Sequence, residues 1–424
     1  MNFFNYRNGE LYCEDVKVRT IARRTGTPVY IYSTRTLRRH YDVFKRAFAG
    51  TVPLICYSVK ANPNVAVISV FSSMGAGADI VSGGELFRAV KAGVESRKMV
   101  YSGVGKTAGE MRSALKKDIL MFNAESLEEL DAMDAVAGGL GLKAPVSIRI
   151  NPDIDPRTHP YISTGLKKNK FGIDIRYARD AYVYARSKPN LKIVGVDMHI
   201  GSQLTDVSPI VSALQRVLGL VRGLERDGID IRYMDIGGGL GITYKEEQAA
   251  QPDRYAGAIE GALKGFGVKL ILEPGRVLVG NAGILATKVL YRKQNGSRRF
   301  MIVDAGMNDL IRPSLYDAYH EILPVIETSA RRFQQDVVGP ICESGDFFAH
   351  RRSLPLLERG QMIAVMSAGA YGFSMSSNYN SRKRAAEVLV DGEDYYVIRE
   401  RETDSDLTRG ERIPSFIKVR STDA

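Results

Sequence analysis

The sequence predicts an α/β protein in two parts: a (β/α)8 barrel of the TIM type over residues 25–275, and a mostly antiparallel β-barrel or sandwich domain assembled from residues 1–24 and 276–424. Three observations predict it. The chain has 424 residues, too many for one ordinary core and enough for a barrel plus a smaller domain. Between about residues 25 and 275, short β-rich runs alternate with longer amphipathic segments, the rhythm of βαβ units. Beyond residue 275 strand-like runs follow one another without long helices between them, as in antiparallel sheets.

The barrel strands are expected at VPLICYSVK (52–60), ADIVS (78–82), KMVYS (98–102), ILMFN (119–123), PVSIRIN (145–151), IVGVDMHI (193–200), YMDIG (233–237) and KLILEP (269–274). The segments between them, such as GGELFRAVKAGV and LTDVSPIVSALQRVLGLVRGLERDG, place apolar residues at three-to-four spacing, the mark of helices with one buried face. Eight such units in roughly 250 residues is the size of a closed barrel. Periodicity does not itself show closure, so an open doubly wound sheet fits the same pattern. The second domain should draw on GILATKVLYRKQ, RRFMIVDAG, QQDVVGPI, QMIAVMS and AAEVLVDGEDYYVIRE, with a strand from ELYCEDVKV near the start and a frayed polar tail from about Arg401.

Composition narrows the function. The net charge of +11 arises from 59 basic residues interleaved with 48 acidic ones, with no block of five like charges. That is a solvated basic surface, not a nucleic-acid footprint. No basic stretch followed by an apolar run opens the chain, and the apolar runs are too short to span a bilayer, so the expectation is a cytoplasmic protein without a membrane partner. Cys13, Cys56 and Cys342 are odd in number, far apart and in no C-x-x-C pair, which predicts reduced thiols and no metal. SGVGKT (102–107) has Val100 where a phosphate-binding loop needs glycine, and HEILP at His320 lacks the second histidine of a zinc helix.

In a (β/α)8 barrel the chemistry collects at the C-terminal ends of the strands. Here those ends carry Lys60, Asp79, Asn151, His199, a glycine cluster from Gly237, and Glu273. Alternation puts Leu54, Cys56, Ser58 and Lys60 on one strand face. If that face points inward, burial disfavours the ammonium and makes the amine a nucleophile; a lysine snorkelling to solvent fits as well. Gly237, Gly238 and Gly239 could bring backbone N–H groups onto a phosphate or form a tight turn. His199 could be structural, Glu273 and Arg276 could be an ion pair across a Pro-Gly turn, and Cys342 and Tyr371 could be packing residues.

YSVKAN, GADIVSGGEL, SGVGKT, RINPDI, HPYISTG with KFG, HIGSQ, DIGGGLGI, EPGR, GPICESGD and YNSR occur in this order over nearly the whole chain. In that ordered set the sequence resembles the pyridoxal-phosphate-dependent group IV decarboxylases of the alanine-racemase-type fold, and among them the diaminopimelate decarboxylases. The resemblance implies decarboxylation of meso-2,6-diaminopimelate to L-lysine, the last step of lysine biosynthesis. It implies that Lys60 holds pyridoxal 5'-phosphate covalently, that His199 stacks on its ring and that Glu273 pairs with the ring nitrogen. Gly237, Gly238, Gly239, Gly275 and Arg276 would cradle the phosphate with Ser202 and Tyr371, while Asp79 and Arg149 organise the site.

Cys342 would donate a proton or organise its donor, reaching the site from the neighbouring subunit of a homodimer. Arg276 and Arg312 with Tyr316 and Tyr371 would grip the distal carboxylate, and Glu343 the distal ammonium. A related enzyme acting on ornithine, arginine or carboxynorspermidine is the alternative, and it has no use for the arginine pair; a non-catalytic relative would be expected to lack Lys60 or Cys342. DPRTHPYISTGLKKNKFG (155–172) would form a lid. Lys383 stands where the family commonly has proline.

Overall fold

The computed structural model describes residues 2–155, 164–165 and 169–417. Eight parallel strands run β1 (Leu54–Ser58), β2 (Gly77–Ile80), β3 (Met99–Tyr101), β4 (Met121–Ala124), β5 (Ala144–Asn151), β6 (Leu191–Asp197), β7 (Tyr233–Asp235) and β8 (Lys269–Leu272). Each pairs with the next, and β8 pairs with β1, so the sheet closes into a barrel and the open alternative falls. The helices following β2, β3 and β4 begin at Ser82, Thr107 and Ser126, whose hydroxyls accept the orphan N–H three residues on. Helix Ser208–Arg226 buries Ile210, Ala213, Leu214, Val217, Leu218, Val221 and Leu224, the one-faced stripe that its spacing predicts.

Period-two alternation gives the barrel interior two layers. Cys56, Val100, Met121, Val194 and Ile271 form an apolar floor. One pleat further along the strands the inward positions turn polar: Ser58, Asp79, Asn123, Arg149, Asp197, Asp235 and Glu273 are all buried. Lys106 of the SGVGKT run is a structural tether. Its Nζ donates to the carbonyls of Gly103 and Asn123 and to Glu129 Oε1, at 2.7, 2.8 and 2.7 Å.

The second sheet departs from expectation in one strand. Val29–Ser33, within the range assigned to the barrel, lies between Gly283–Asn295 and Ala386–Asp391 in the other domain. All five of its residues are buried, as suits a central strand covered on both faces. The sheet is mostly antiparallel, with two parallel pairings. Residues near the start form three short strands of their own, Phe4–Arg7, Glu10–Cys13 and Val16–Lys17, bridged to the domain at Glu10 and Ile326. The segment from Arg401 is anchored, not frayed, at its beginning: Arg401 Nη2 donates to the Pro28 carbonyl at 2.6 Å, and Thr403 caps helix Asp404–Leu407. Lys383 pairs with Asp404 at 2.8 Å. Residues 156–163 and 166–168 of the expected lid lie outside the described residues. No helix among the described residues is long and apolar enough to cross a membrane.

Asp309 is buried beneath this sheet, its Oδ2 accepting the Gly306 N–H at 3.0 Å. Burial pushes its carboxyl up to about 7 from 3.8. The folded protein therefore holds this proton more tightly than the unfolded chain, and the contribution to stability is complete below about 3.8 and lost as pH rises through about 7. Thermal denaturation of Asp309→Asn should show a smaller fall in Tm between pH 5 and 8 than the wild type. Equal falls would mean that Asp309 carries no proton in the folded state.

Candidate active site

β1 leaves the ladder at Ser58, and one 3-10 turn, Val59–Ala61, carries Lys60 over the barrel mouth. The second domain holds that turn: Tyr371 N–H donates to the Ala61 carbonyl at 2.8 Å, Asn62 Nδ2 to Gly369 O at 3.3 Å, and Asn64 Nδ2 to Glu387 at 2.9 Å. Lys60 Nζ lies 2.5 Å from Asp79 Oδ2, which also accepts the Ser58 hydroxyl at 2.7 Å. This corrects the expected neutral amine. Burial opposes charge on Lys60, but Asp79 and then Glu273 outweigh it and hold the ammonium well above its ordinary range.

The reason is a layer of four buried carboxylates, of which the sequence reading had singled out only Asp79 and Glu273. Asp197 and Asp235 complete it. Burial, then Asp235, pushes Glu273 well above the carboxylate range; burial does the same for Asp197, and Asp235 is pushed up to about 6. With Lys60 and Arg149 as the cations, part of this layer stays protonated. Glu273 and Arg276 do not form the ion pair that their spacing allowed.

Arg149 donates to Glu125 at 2.8 Å and to the His199 carbonyl at 3.3 Å, and lies 3.8 Å from Asp197. It thereby fixes the backbone that presents His199. Burial, then Arg149 and Lys60, pushes the imidazole well below its ordinary range, so the ring is neutral. Beside it, Gly237 and Gly239 adopt φ of +66° and +112°, which a side chain would strain. A Cβ on Gly237 would come within 2.6 Å of His199 Nδ1, and one on Gly238 within 2.2 Å of the Glu273 carbonyl. The glycine run thus packs directly against His199 and Glu273, and Gly275 closes in on Ser58 and Ala61.

A cavity of about 310 Å³ opens next to this layer. His199, Ser202, Arg276, Arg312, Tyr316 and Tyr371 of the expected residues line it. Arg276 Nε and Nη2 donate to Ser202 Oγ at 3.3 and 3.1 Å, and its guanidinium lies 4.9 Å from the Tyr371 ring centre. Tyr244, Glu247, Gln203 and Tyr319 also line the cavity and escaped the sequence reading. Tyr244 lies two residues past the DIGGGLGI run and Tyr319 one residue before HEILP, but nothing local marks a tyrosine there as facing a cavity.

Cys342 and Glu343 are not brought to this cavity. They are exposed on a loop after strand Arg332–Val338, where Asn380 accepts the Cys342 N–H at 2.7 Å and Tyr379 reaches Glu343 at 3.4 Å.

The barrel, the lysine turn and the glycine run match the family described as pyridoxal-dependent decarboxylase, pyridoxal binding domain, over residues 34–280. A diaminopimelate decarboxylase of Pseudomonas aeruginosa is 52% identical over 97% of this chain and 99% of that protein. The chain belongs to the diaminopimelate decarboxylase family. The Helicobacter pylori enzyme of that family, solved in complex with L-lysine, is 46% identical, covers 92% of this chain and 98% of its own, and superposes with a TM-score of 0.89. The M. jannaschii enzyme in co-complex with L-lysine is 38% identical, covers 97% and 98%, and superposes at 0.93.

Proposed function

We propose that the chain decarboxylates meso-2,6-diaminopimelate to L-lysine and carbon dioxide with pyridoxal 5'-phosphate, the last step of lysine biosynthesis. The observation that carries the reading is the convergence of Arg276, Arg312 and Tyr316 on one cavity beside the Lys60 layer. Two guanidiniums suit a carboxylate. A decarboxylase of ornithine or arginine, whose substrates end in a cation, has no use for Arg312 at that end.

The residues fit the cofactor. Lys60 would hold it covalently, the glycine run with Gly275 and Arg276 would receive its phosphate, and Glu273, buried and proton-retaining, would pair with its ring nitrogen. Ser202 Oγ accepts two N–H groups of Arg276, which leaves its own O–H to donate to the phosphate. When bound, the cofactor supplies an electron sink for the pair left at Cα as the bond to the carboxylate breaks. Asp79 Oδ2, 2.5 Å from Lys60 Nζ, would hold the Lys60 proton, His199 would cover one face of the ring, and Arg276 and Arg312 would fix the far end of the substrate so that the scissile carboxylate is oriented. The released carbon dioxide takes no proton with it, so Cα must gain one.

Cys342 is the proposed donor, supplied by a second copy of the chain, with Glu343 receiving the distal ammonium. Glu247, the carboxylate among the described lining residues, already accepts the N–H groups of Tyr244, Lys245 and Glu246. The test is carbon dioxide release from meso-diaminopimelate by Lys60→Ala, Cys342→Ala and their equimolar mixture. Each variant alone should be nearly inactive, and the mixture should recover up to about a quarter of wild-type activity, because half of the reassorted dimers hold one intact site. No recovery in a mixture shown to exchange subunits would rule out the shared site.

A further inference from the structure

Arg276 and Arg312 are 6% and 5% exposed, and no carboxylate among the described residues lies within ion-pair distance of either. Burial, and after it the Arg276 cation, disfavours charge on Arg312, with Tyr244 opposing. What holds the pair is neutral. Tyr244 stands between them: its hydroxyl accepts Arg276 Nη1 at 2.8 Å, and its ring lies 4.9 Å from the Arg312 guanidinium. Burial alone would raise the Tyr244 phenol, yet Arg276 and Arg312 bring it below its ordinary range.

On the far side Arg312 Nε donates to His320 Nε2 at 3.4 Å, and His320 Nδ1 lies 2.8 Å from the Met366 carbonyl. A carbonyl only accepts, so Nδ1 carries the proton and Nε2 is left as the acceptor. Burial, then Arg312, pushes His320 down to about 3, which keeps it from becoming a third cation. The His320 and Tyr244 rings meet edge-on at 5.4 Å. Tyr244 is itself fixed, its N–H held by Glu247 at 2.7 Å.

We propose that Tyr244 and His320 are positioning residues that hold Arg276 and Arg312 as a preformed receptor with neutral walls, and so set the preference for substrates bearing a distal carboxylate. Acidic partners would hold the guanidiniums equally well but would cancel the field that the incoming carboxylate meets. Neutral acceptors fix the geometry and leave both charges for the ligand. The inference rests on the proposed function for the identity of that ligand.

The test compares Tyr244→Phe, His320→Asn and His320→Gln in the cofactor-loaded enzyme. Readouts are kcat and KM for meso-diaminopimelate, the visible absorbance of the bound cofactor, and calorimetric Kd for L-lysine and for 1,5-diaminopentane, which is lysine without its carboxylate. Tyr244→Phe and His320→Asn should raise KM and the lysine Kd about tenfold, the scale of a lost charge-assisted hydrogen bond. The absorbance and the 1,5-diaminopentane Kd should move much less. Asparagine keeps a donor for Met366 but loses the acceptor for Arg312, whereas glutamine restores that acceptor, so His320→Gln should recover most of the lysine affinity. Equal weakening of lysine and 1,5-diaminopentane, or wild-type lysine affinity in both Tyr244→Phe and His320→Asn, would overturn the assignment. A wild type that leaves meso-diaminopimelate intact would instead sink the proposed function, and the lysine arm would still decide this one.

Discussion

Lys60→Ala is expected to abolish the visible absorbance of covalently held cofactor and to leave the protein nearly inactive, because the amine is the group that would attach the cofactor. The amine that the site offers stands 2.5 Å from Asp79 at the barrel mouth. Its turn is fixed from the second domain through Ala61, Asn62 and Asn64, so truncating the side chain should leave the backbone in place. The loss then reports on the amine and not on a collapsed loop. A Lys60→Ala protein that kept the absorbance of covalently bound cofactor would remove Lys60 from the site.

Arg312→Ala should raise KM for meso-diaminopimelate by about 10- to 100-fold, equivalent to roughly 1.5–3 kcal/mol of charge-assisted bonding, while the cofactor absorbance stays as in the wild type. Arg312 lies in the cavity wall with Tyr244, is backed by the buried His320, and reaches none of the carboxylates around Lys60 in an ion pair. Arg312→Lys should rescue little, because an ammonium cannot reproduce the planar fork that bonds a carboxylate through two parallel N–H groups. An unchanged KM in Arg312→Ala would take this arginine out of substrate recognition.

The barrel was legible because each strand is a short β-rich run followed by a one-faced helix, a pattern confined to neighbouring residues. Six of the eight expected strands overshoot at their C-terminal ends, for a physical reason. Lys60, His199, Gly237 and Glu273 all lie one or two residues past the last ladder pair, where the chain turns its functional groups out of the sheet. Val29–Ser33 was misplaced because its partners, Gly283–Asn295 and Ala386–Asp391, come from the far end of the chain. Nothing in VYIYS itself marks which sheet it enters.

The charge state of Lys60 was misread for a similar reason. A strand face can be read from alternation, but the carboxylates that hold the ammonium come from β2 and the end of β8, and Asp197 and Asp235 join them from β6 and β7. His320 stood in a run already noted and Tyr244 just past the glycine run, yet their meaning depends on Arg312 meeting a loop of the barrel across the domain boundary. Cys342 and Glu343 were read from a motif, and in one chain they lie on an exposed loop away from the cavity that they are proposed to serve in a second copy.

The most direct measurement is release of carbon dioxide, with amino-acid analysis of the product, from purified protein loaded with pyridoxal phosphate and given meso-diaminopimelate, ornithine, arginine or L-lysine. The account predicts turnover of meso-diaminopimelate alone, with one L-lysine formed for each carbon dioxide released. Turnover of ornithine or arginine at a comparable kcat/KM would contradict it, because the guanidinium pair of Arg276 and Arg312 would then not be what selects the substrate.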